Sequence, residues 1–302
     1  GRNMSITRRS RLRVLTAAVA ATLVLAACGS SDTATDTTVA ARKSQRIVSL
    51  SPTATEMLYA IGAGDQVVAL DSLSTFPAET ASKVTKISAY EPSAEAILGF
   101  TPDVVLISND MNKITEQLTA ANPDITVWTG AAAATIDDVY KQITELGELT
   151  GHADDAAELI KSMTDRISTA TKDITAPMNS SYFYELDNTL YSVTSNTFVG
   201  ALLKPFGIAN IADGVEEGND YPQLNAEAIV KGNPAIIFLA DTKCCATSAA
   251  EVTKRAGWSG IAAVTSGNIV ELDDDVASRW GPRVVELVEQ FSAAITALNA
   301  AK

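Results

Sequence analysis

The sequence predicts an α/β fold of two similar lobes joined by a single long helix, and three observations carry that expectation. From Arg46 onward, short β-branched runs alternate with helical patterns, the signature of βα units and mostly parallel sheets. A helix, a proline turn and a strand recur. Ala94-Glu95-Ala96-Ile97-Leu98 precedes Pro102-Asp103-Val104-Val105-Leu106-Ile107, and Ala226-Glu227-Ala228-Ile229-Val230 precedes Pro234-Ala235-Ile236-Ile237-Phe238-Leu239. Between the two copies, apolar residues at 156, 160, 163, 167, 170 and 174 form one helical stripe of about 20 residues, about 30 Å long. The 302 residues, 46% hydrophobic and 20% charged, suffice for two packed lobes and are too apolar for a disordered chain.

The chain opens on an address. Arg8, Arg9, Arg11 and Arg13 form a basic region, and Val14 to Leu25 is apolar but too short for a comfortable transmembrane helix, so residues 1–27 read as a signal peptide. The small residues before Cys28 resemble the lipobox of bacterial lipoproteins, which implies cleavage before Cys28 and its acylation. Residues 28–45, rich in Ser, Thr, Asp and Ala, have almost nothing to bury and form a flexible tether.

The first lobe is expected over 46–151. Ile47 to Leu50 is its first strand. Ser51 offers an N-cap with Pro52 at the first helical position, and the helix stops at Gly62 and Gly64. Val67 to Leu70, Val104 to Ile107 and Ile125 to Trp128 are further strands, and Thr135 to Leu149 is an amphipathic helix closed by Gly151. The connecting helix is expected over 152–174, with His152 at its start. The second lobe, 175–302, takes strands at Tyr182 to Leu186, Ile236 to Leu239 and Ile269 to Leu272, then a final amphipathic helix from Pro282.

Charge and composition exclude several functions. Removing the leader takes away five arginines, so 18 positive residues face 36 acids and the net charge moves from −13 to −18. Such a surface repels phosphate backbones and disfavours nucleic-acid binding. One histidine, His152, cannot build a multi-histidine zinc site, and a Ser-His-Asp triad has no visible partners. No nucleophile elbow, Walker loop, dinucleotide fingerprint or calcium loop occurs. Neither a catalytic residue nor a bound cofactor nor a metal site is expected. Asp273-Asp274-Asp275 reads as a solvated acidic loop, with cation binding as the alternative.

Three stretches carry a resemblance: Arg46-Ile-Val-Ser-Leu-Ser-Pro-Thr-Ala-Thr-Glu-Met-Leu-Tyr-Ala-Ile-Gly-Ala-Gly-Asp65, the Glu-x-Ile-Leu-x-x-x-Pro-Asp-Val-Val stretch from Glu95, and Ser278-Arg-Trp-Gly-Pro-Arg283. Together they resemble the substrate-binding lipoproteins of ABC importers for cobalamin, haem and iron-siderophores, most closely the cobalamin-binding type, from about Arg46 to Leu298. The resemblance implies a rigid connecting helix, a ligand cleft between the lobes and only small closure on binding. It implies a non-enzymatic monomer, lipid-anchored outside the cytoplasmic membrane, that hands a corrinoid to a permease dimer. A haem or ferric-siderophore receptor is the nearer alternative, with Tyr90 or Tyr221 as an iron ligand; an envelope enzyme or sensory module on the same scaffold is the more distant one.

The same resemblance implies roles for individual residues. Glu95 and Glu227 would present one carboxylate per lobe to arginines of the two permease subunits, a symmetric arrangement suited to a two-fold partner. Phe76, Tyr90, Tyr191, Tyr221, Arg279 and Trp280 would line the cleft, the aromatics stacking on a large planar ligand. On physical grounds Arg279 and Arg283, near the start of the last helix, oppose its dipole and call for an anion: Asp273 to Asp275, or a phosphate or carboxylate of the ligand. Arg279 is expected at the ligand and Arg283 in a structural role. Cys244-Cys245 depart from the family pattern; outside the cytoplasm they form a vicinal disulfide or, alternatively, contact a soft metal through thiolate. Trp258 is expected in a structural loop.

Overall fold

Each lobe grows from a parallel sheet whose central strands are buried on both faces. The computed structural model describes residues 45–301, so the expected leader, the acylation site Cys28 and nearly all of the tether lie outside the described residues. In the first lobe β1 (Ile47–Ser49), β2 (Val67–Leu70), β3 (Val104–Ile107) and β4 (Thr126–Thr129) form a parallel sheet in the order β2-β1-β3-β4. In the second, β5 (Ser181–Glu185), β6 (Ala209–Asn210), β7 (Ile236–Leu239) and β8 (Ile269–Glu271) form another in the order β6-β5-β7-β8. The two orders are the same permutation, which gives the repeated helix-proline-strand unit a structural counterpart. The two-residue β6 had no legible sequence pattern.

The helices are α1 (Pro52–Ala60), α2 (Ala94–Leu98), α3 (Ile114–Ala121), α4 (Ile136–Thr150), α5 (Ala153–Thr171), α6 (Phe198–Leu203), α7 (Ala226–Gly232), α8 (Ala249–Val252), α9 (Ala262–Ser266), α10 (Asp274–Ser278) and α11 (Val284–Ala300). Ser51 caps α1 by accepting from the Ala54 N–H, with Pro52 as first residue, as its sequence predicts. Helix α11 starts two residues later than expected, because Pro282 and Arg283 form the turn that leads into it.

Strand alternation distributes the core. Ile47, Val104 and Leu106 point to one side of the first sheet, while Val48, Val105 and Ile107 point to the other. In the second sheet Tyr182, Tyr184, Ile236 and Phe238 face inward, and Phe183, Ile237 and Leu239 face the outer helices. The inward sets of both sheets belong to one continuous apolar cluster that also takes in Val139, Ile143 and Leu146 of α4, Ala156 and Met163 of α5, and Phe291 and Ile295 of α11. Phe238 meets Phe291 edge-on at 4.9 Å. The core therefore runs through the middle of the molecule without a break between lobes.

Helix α5 sits in that middle layer, against α4 on one side and α11 on the other. Its 19 residues correspond to about 28 Å of helix. Gly147 permits the close approach to α4, since a Cβ there would lie 2.5 Å from the Ala156 Cβ. On the outside a bidentate pair, Arg166 to Glu289 at 2.9 Å, joins α5 to α11. His152 occupies the N-cap position of α5 and its Nδ1 lies 2.9 Å from Asp155.

Candidate functional site

A cavity of about 190 Å³ opens between the lobes. Its first-lobe wall is Ala132 and Ala133, after β4; its second-lobe wall includes Leu186, Val193, Phe198 and Tyr221; its floor is Ala277 to Trp280 at the end of α10. Of the six expected ligand residues, the structure brings Tyr221, Arg279 and Trp280 to this cavity. Tyr191 is close by in the chain's pairing: it bridges Gln223, and the Ser192 N–H donates to Pro222 O at 2.9 Å, so the Tyr191 and Tyr221 loops run side by side. Tyr90, 68% exposed, stands outside the cavity on a first-lobe loop. Phe76 is elsewhere, with one ring face covered by the Arg283 guanidinium at 3.8 Å.

The anion that Arg279 and Arg283 require is a residue the sequence reading passed over. Glu56, on α1 of the first lobe, is only 3% exposed. Its Oε1 accepts from Arg279 at 2.8 Å and also from Arg283, whose Nε reaches Oε2 at 3.1 Å. Arg279 further donates to Leu73 O at 3.3 Å, and Asp275 stands 3.5 Å away as a secondary charge. Gly281 gives the carboxylate room, since a Cβ there would lie 3.0 Å from Glu56 Oε2. Burial works against the Arg283 charge, but the bonds and charge of Glu56 outweigh it and hold its pKa above the ordinary arginine value. Glu56, not Asp273 to Asp275, is thus the principal anion for both arginines, with Asp273 adding to the field at Arg283, and Arg279 crosslinks the lobes while also lining the cavity. Trp280 adds a third link through its Nε1–H to Gln142 Oε1 of α4, at 3.0 Å.

Glu56 stands out only once the fold is known. Thr53, Ala54, Thr55, Met57 and Leu58 are all buried beside it, so α1 has no polar face on which an acid would be solvated. A glutamate so buried needs a basic partner, and the two arginines flanking Trp280-Gly281-Pro282 supply it.

The second lobe buries an acid too. Glu185, at the end of β5, accepts two bonds from Arg255, at 2.7 and 2.8 Å, and Arg255 also stacks on the Trp258 ring at 4.7 Å. Trp258 is itself 1% exposed, in keeping with a structural role. Burial pushes the Glu185 carboxyl up to about 7, with Arg255 pulling it down and the nearby Asp241 adding to the rise. Asp241 is also raised by burial, against the Thr247 hydroxyl bond that lowers it, and among the described residues its Oδ1 has no hydrogen-bond partner.

Glu95 and Glu227 occupy equivalent places. Each lies in the first turn of its helix, α2 or α7, capped by Ser93 or Asn225, and each is followed two residues later by a fully buried isoleucine, Ile97 or Ile229. Both are exposed and neither forms an ion pair among the described residues. Cys244 and Cys245 are joined to each other in the loop after β7, away from the cavity lining. No cluster of metal-ligating side chains occurs among the described residues.

Residues 47–276 match the family model of periplasmic binding proteins. The chain is 33% identical to an uncharacterised ABC transporter substrate-binding lipoprotein of Bacillus subtilis, over 84% of this chain and 81% of the relative. It is 31% identical to a cobalamin-binding protein of Halobacterium salinarum, over 83% of this chain and 69% of the relative. Its fold is similar to the crystal structure of a periplasmic haem-binding protein of Vibrio cholerae, with a TM-score of 0.72 at 19% identity, covering 83% of this chain and 98% of the other. These relatives are binding proteins, not enzymes. With the model spanning both sheets and two relatives above 30% identity, the chain belongs to the periplasmic binding protein family.

Proposed function

We propose that the protein is the extracytoplasmic substrate-binding component of an ABC importer, lipid-anchored through Cys28, and that it carries a corrinoid between its lobes. The observation that carries this reading is the interlobe cavity, walled by both lobes and edged by Tyr221 and Trp280. The named function of the Halobacterium salinarum relative favours a corrinoid. At about 190 Å³ the cavity admits the edge or a side arm of a macrocycle, so the remainder lies across the rim, where Tyr191 and Tyr221 are 41% and 56% exposed. Aromatic rings at a rim suit a flat ligand because every part of its face can be stacked. Glu95 and Glu227, equivalent and unpaired, suit docking to a two-fold permease.

Isothermal titration of the body from Ser44 with cyanocobalamin, haem and a ferric hydroxamate tests the assignment. Submicromolar binding of cyanocobalamin alone is expected. Tight binding of haem or the hydroxamate instead would move the ligand to an iron chelate, held with a Tyr221 or Tyr90 phenolate, and would leave the docking pair standing.

A further inference from the structure

Away from the cavity, the loop between β7 and α8 carries Cys244 and Cys245, adjacent in sequence and bonded to each other, with Cys244 exposed. The loop is tied to the beginning of α10. The Thr242 hydroxyl donates to Leu272 O at 2.8 Å and to Asp274 Oδ1 at 3.0 Å. The backbone N–H groups of Lys243 and Cys244 donate to the two Asp274 oxygens, at 3.0 and 2.8 Å. The Lys243 ammonium spans Asp273 at 2.8 Å and Asp275 at 3.0 Å. Three acids expected as a solvated loop are thus gathered by three consecutive residues, Thr242 to Cys244. The bonds from Asp273 and Asp275 raise the Lys243 pKa above the ordinary lysine value.

Helix α10 is only five residues long, and it leads directly into Arg279 and Trp280, which cross to Glu56 and Gln142, while Ala277 to Trp280 line the cavity. Asp274 therefore stands between the cysteine loop and the cavity floor. A bond between neighbouring cysteines closes an eight-membered ring that includes the peptide joining them, so it limits the orientations open to the N–H groups on either side. One of them, the Cys244 N–H, donates to Asp274, next to the Lys243 N–H that does the same.

We propose that Cys244–Cys245 is a thiol-exchange site whose oxidation state sets the order of α10 and of the cavity floor, with a dithiol reductant as its substrate class. A thiolate of the dithiol attacks the exposed Cys244 sulfur; the S–S bond breaks, a mixed disulfide forms on Cys244, and Cys245 leaves as thiolate. The second thiol of the reductant then displaces Cys244. Two electrons and two protons pass to the protein, and the reductant leaves as its own disulfide. The reduced loop loosens its grip on Asp274. An oxidising extracytoplasmic setting holds the pair closed. Only the consequence for ligand affinity rests on the reading of the protein as a corrinoid carrier.

Hydrogen exchange of the full chain before and after dithiothreitol provides the test. Reduction is expected to speed amide exchange in 242–247 and 274–280 together, by roughly threefold or more. A Cys244→Ser/Cys245→Ser variant is expected to exchange at the reduced rate with or without reductant. Faster exchange confined to 242–247 overturns the proposal, as does a reductant response in the double variant, or two free thiols counted in protein prepared under oxidising conditions. Cyanocobalamin titration of both forms is the second arm: weaker binding after reduction is expected, and equal affinity overturns the link to the cavity. Absence of cyanocobalamin binding in both forms counts against the corrinoid reading and leaves the exchange data to decide the proposal.

Discussion

Each lobe buries one glutamate against arginine, and the two pairs serve opposite ends. Glu56 reaches out of its own lobe to Arg279 and Arg283, whereas Glu185 is held by Arg255 from the same lobe and has a second acid, Asp241, beside it. Two cations surround one carboxylate, whereas the other shares one cation and has Asp241 nearby, which adds to the rise that burial causes. A buried acid thus ties the two lobes together in one case and sits beside a second acid within a single lobe in the other. The difference follows from what stands next to each carboxylate.

The largest effect is expected at the crosslink. Glu56→Ala leaves two guanidiniums, with side chains 12% and 15% exposed, without their main partner. Breaking such a buried pair from one side costs about 3–5 kcal/mol, to be read from urea unfolding. A loss under about 1 kcal/mol would make the pair incidental to the joining of the lobes.

The pH dependence is expected to report Glu185. A carboxyl whose folded pKa is raised binds its proton more tightly in the fold, so its contribution is present at low pH and is lost as pH rises toward the folded value. For Glu185 that window runs from its ordinary 4.5 to about 7, and the loss is roughly 3 kcal/mol. Asp71 of the first lobe, raised chiefly by burial, has the same sign. Asp241→Asn removes one source of the Glu185 shift and is expected to flatten the decline between pH 5 and 7.5. An unchanged slope would assign it to other groups.

In ligand binding the lobes differ again, because among the expected aromatics only second-lobe residues reach the cavity. Tyr221→Ala is expected to weaken cyanocobalamin binding by roughly 1–3 kcal/mol in titration, while Tyr90→Ala has little effect. Equal losses would restore the first lobe to the site. The smallest effect on the protein itself is expected where the lobes are alike. Glu95→Lys and Glu227→Lys should each change stability by no more than about 0.5 kcal/mol and leave ligand affinity unaltered. Together they should abolish uptake through the permease; uptake at the normal rate would remove the docking assignment.

What could be read from the sequence follows the range of the forces involved. The strands Val67–Leu70, Val104–Ile107 and Ile236–Leu239 were legible because burial on both faces leaves an uninterrupted apolar run. The stripe of α4 and its Gly151 stop were legible from period and capping. The shared core was not, since nothing local in the sequence indicates that the inward residues of both sheets will join one cluster with α4, α5 and α11. The site was legible in part: Tyr221 and Trp280 reach the cavity, but the partner of Arg279 lies 223 residues away, beyond any periodic pattern. Nor does the sequence show that one face of the Phe76 ring is covered by Arg283, a contact made by tertiary packing alone.

The unbroken middle core has a mechanical consequence. A hinge between lobes would have to open the single cluster that holds Ile47, Val104 and Leu106 of the first sheet together with Tyr182, Ile236 and Phe238 of the second, and each 100 Å² of apolar surface so exposed costs about 2.5 kcal/mol. Swinging widely open is therefore a form of partial unfolding, and the molecule behaves as a stiff spring. Cargo leaves such a body by small slackening at the rim or by work done on it from outside, so the energy of release must be supplied by whatever grips the two lobes.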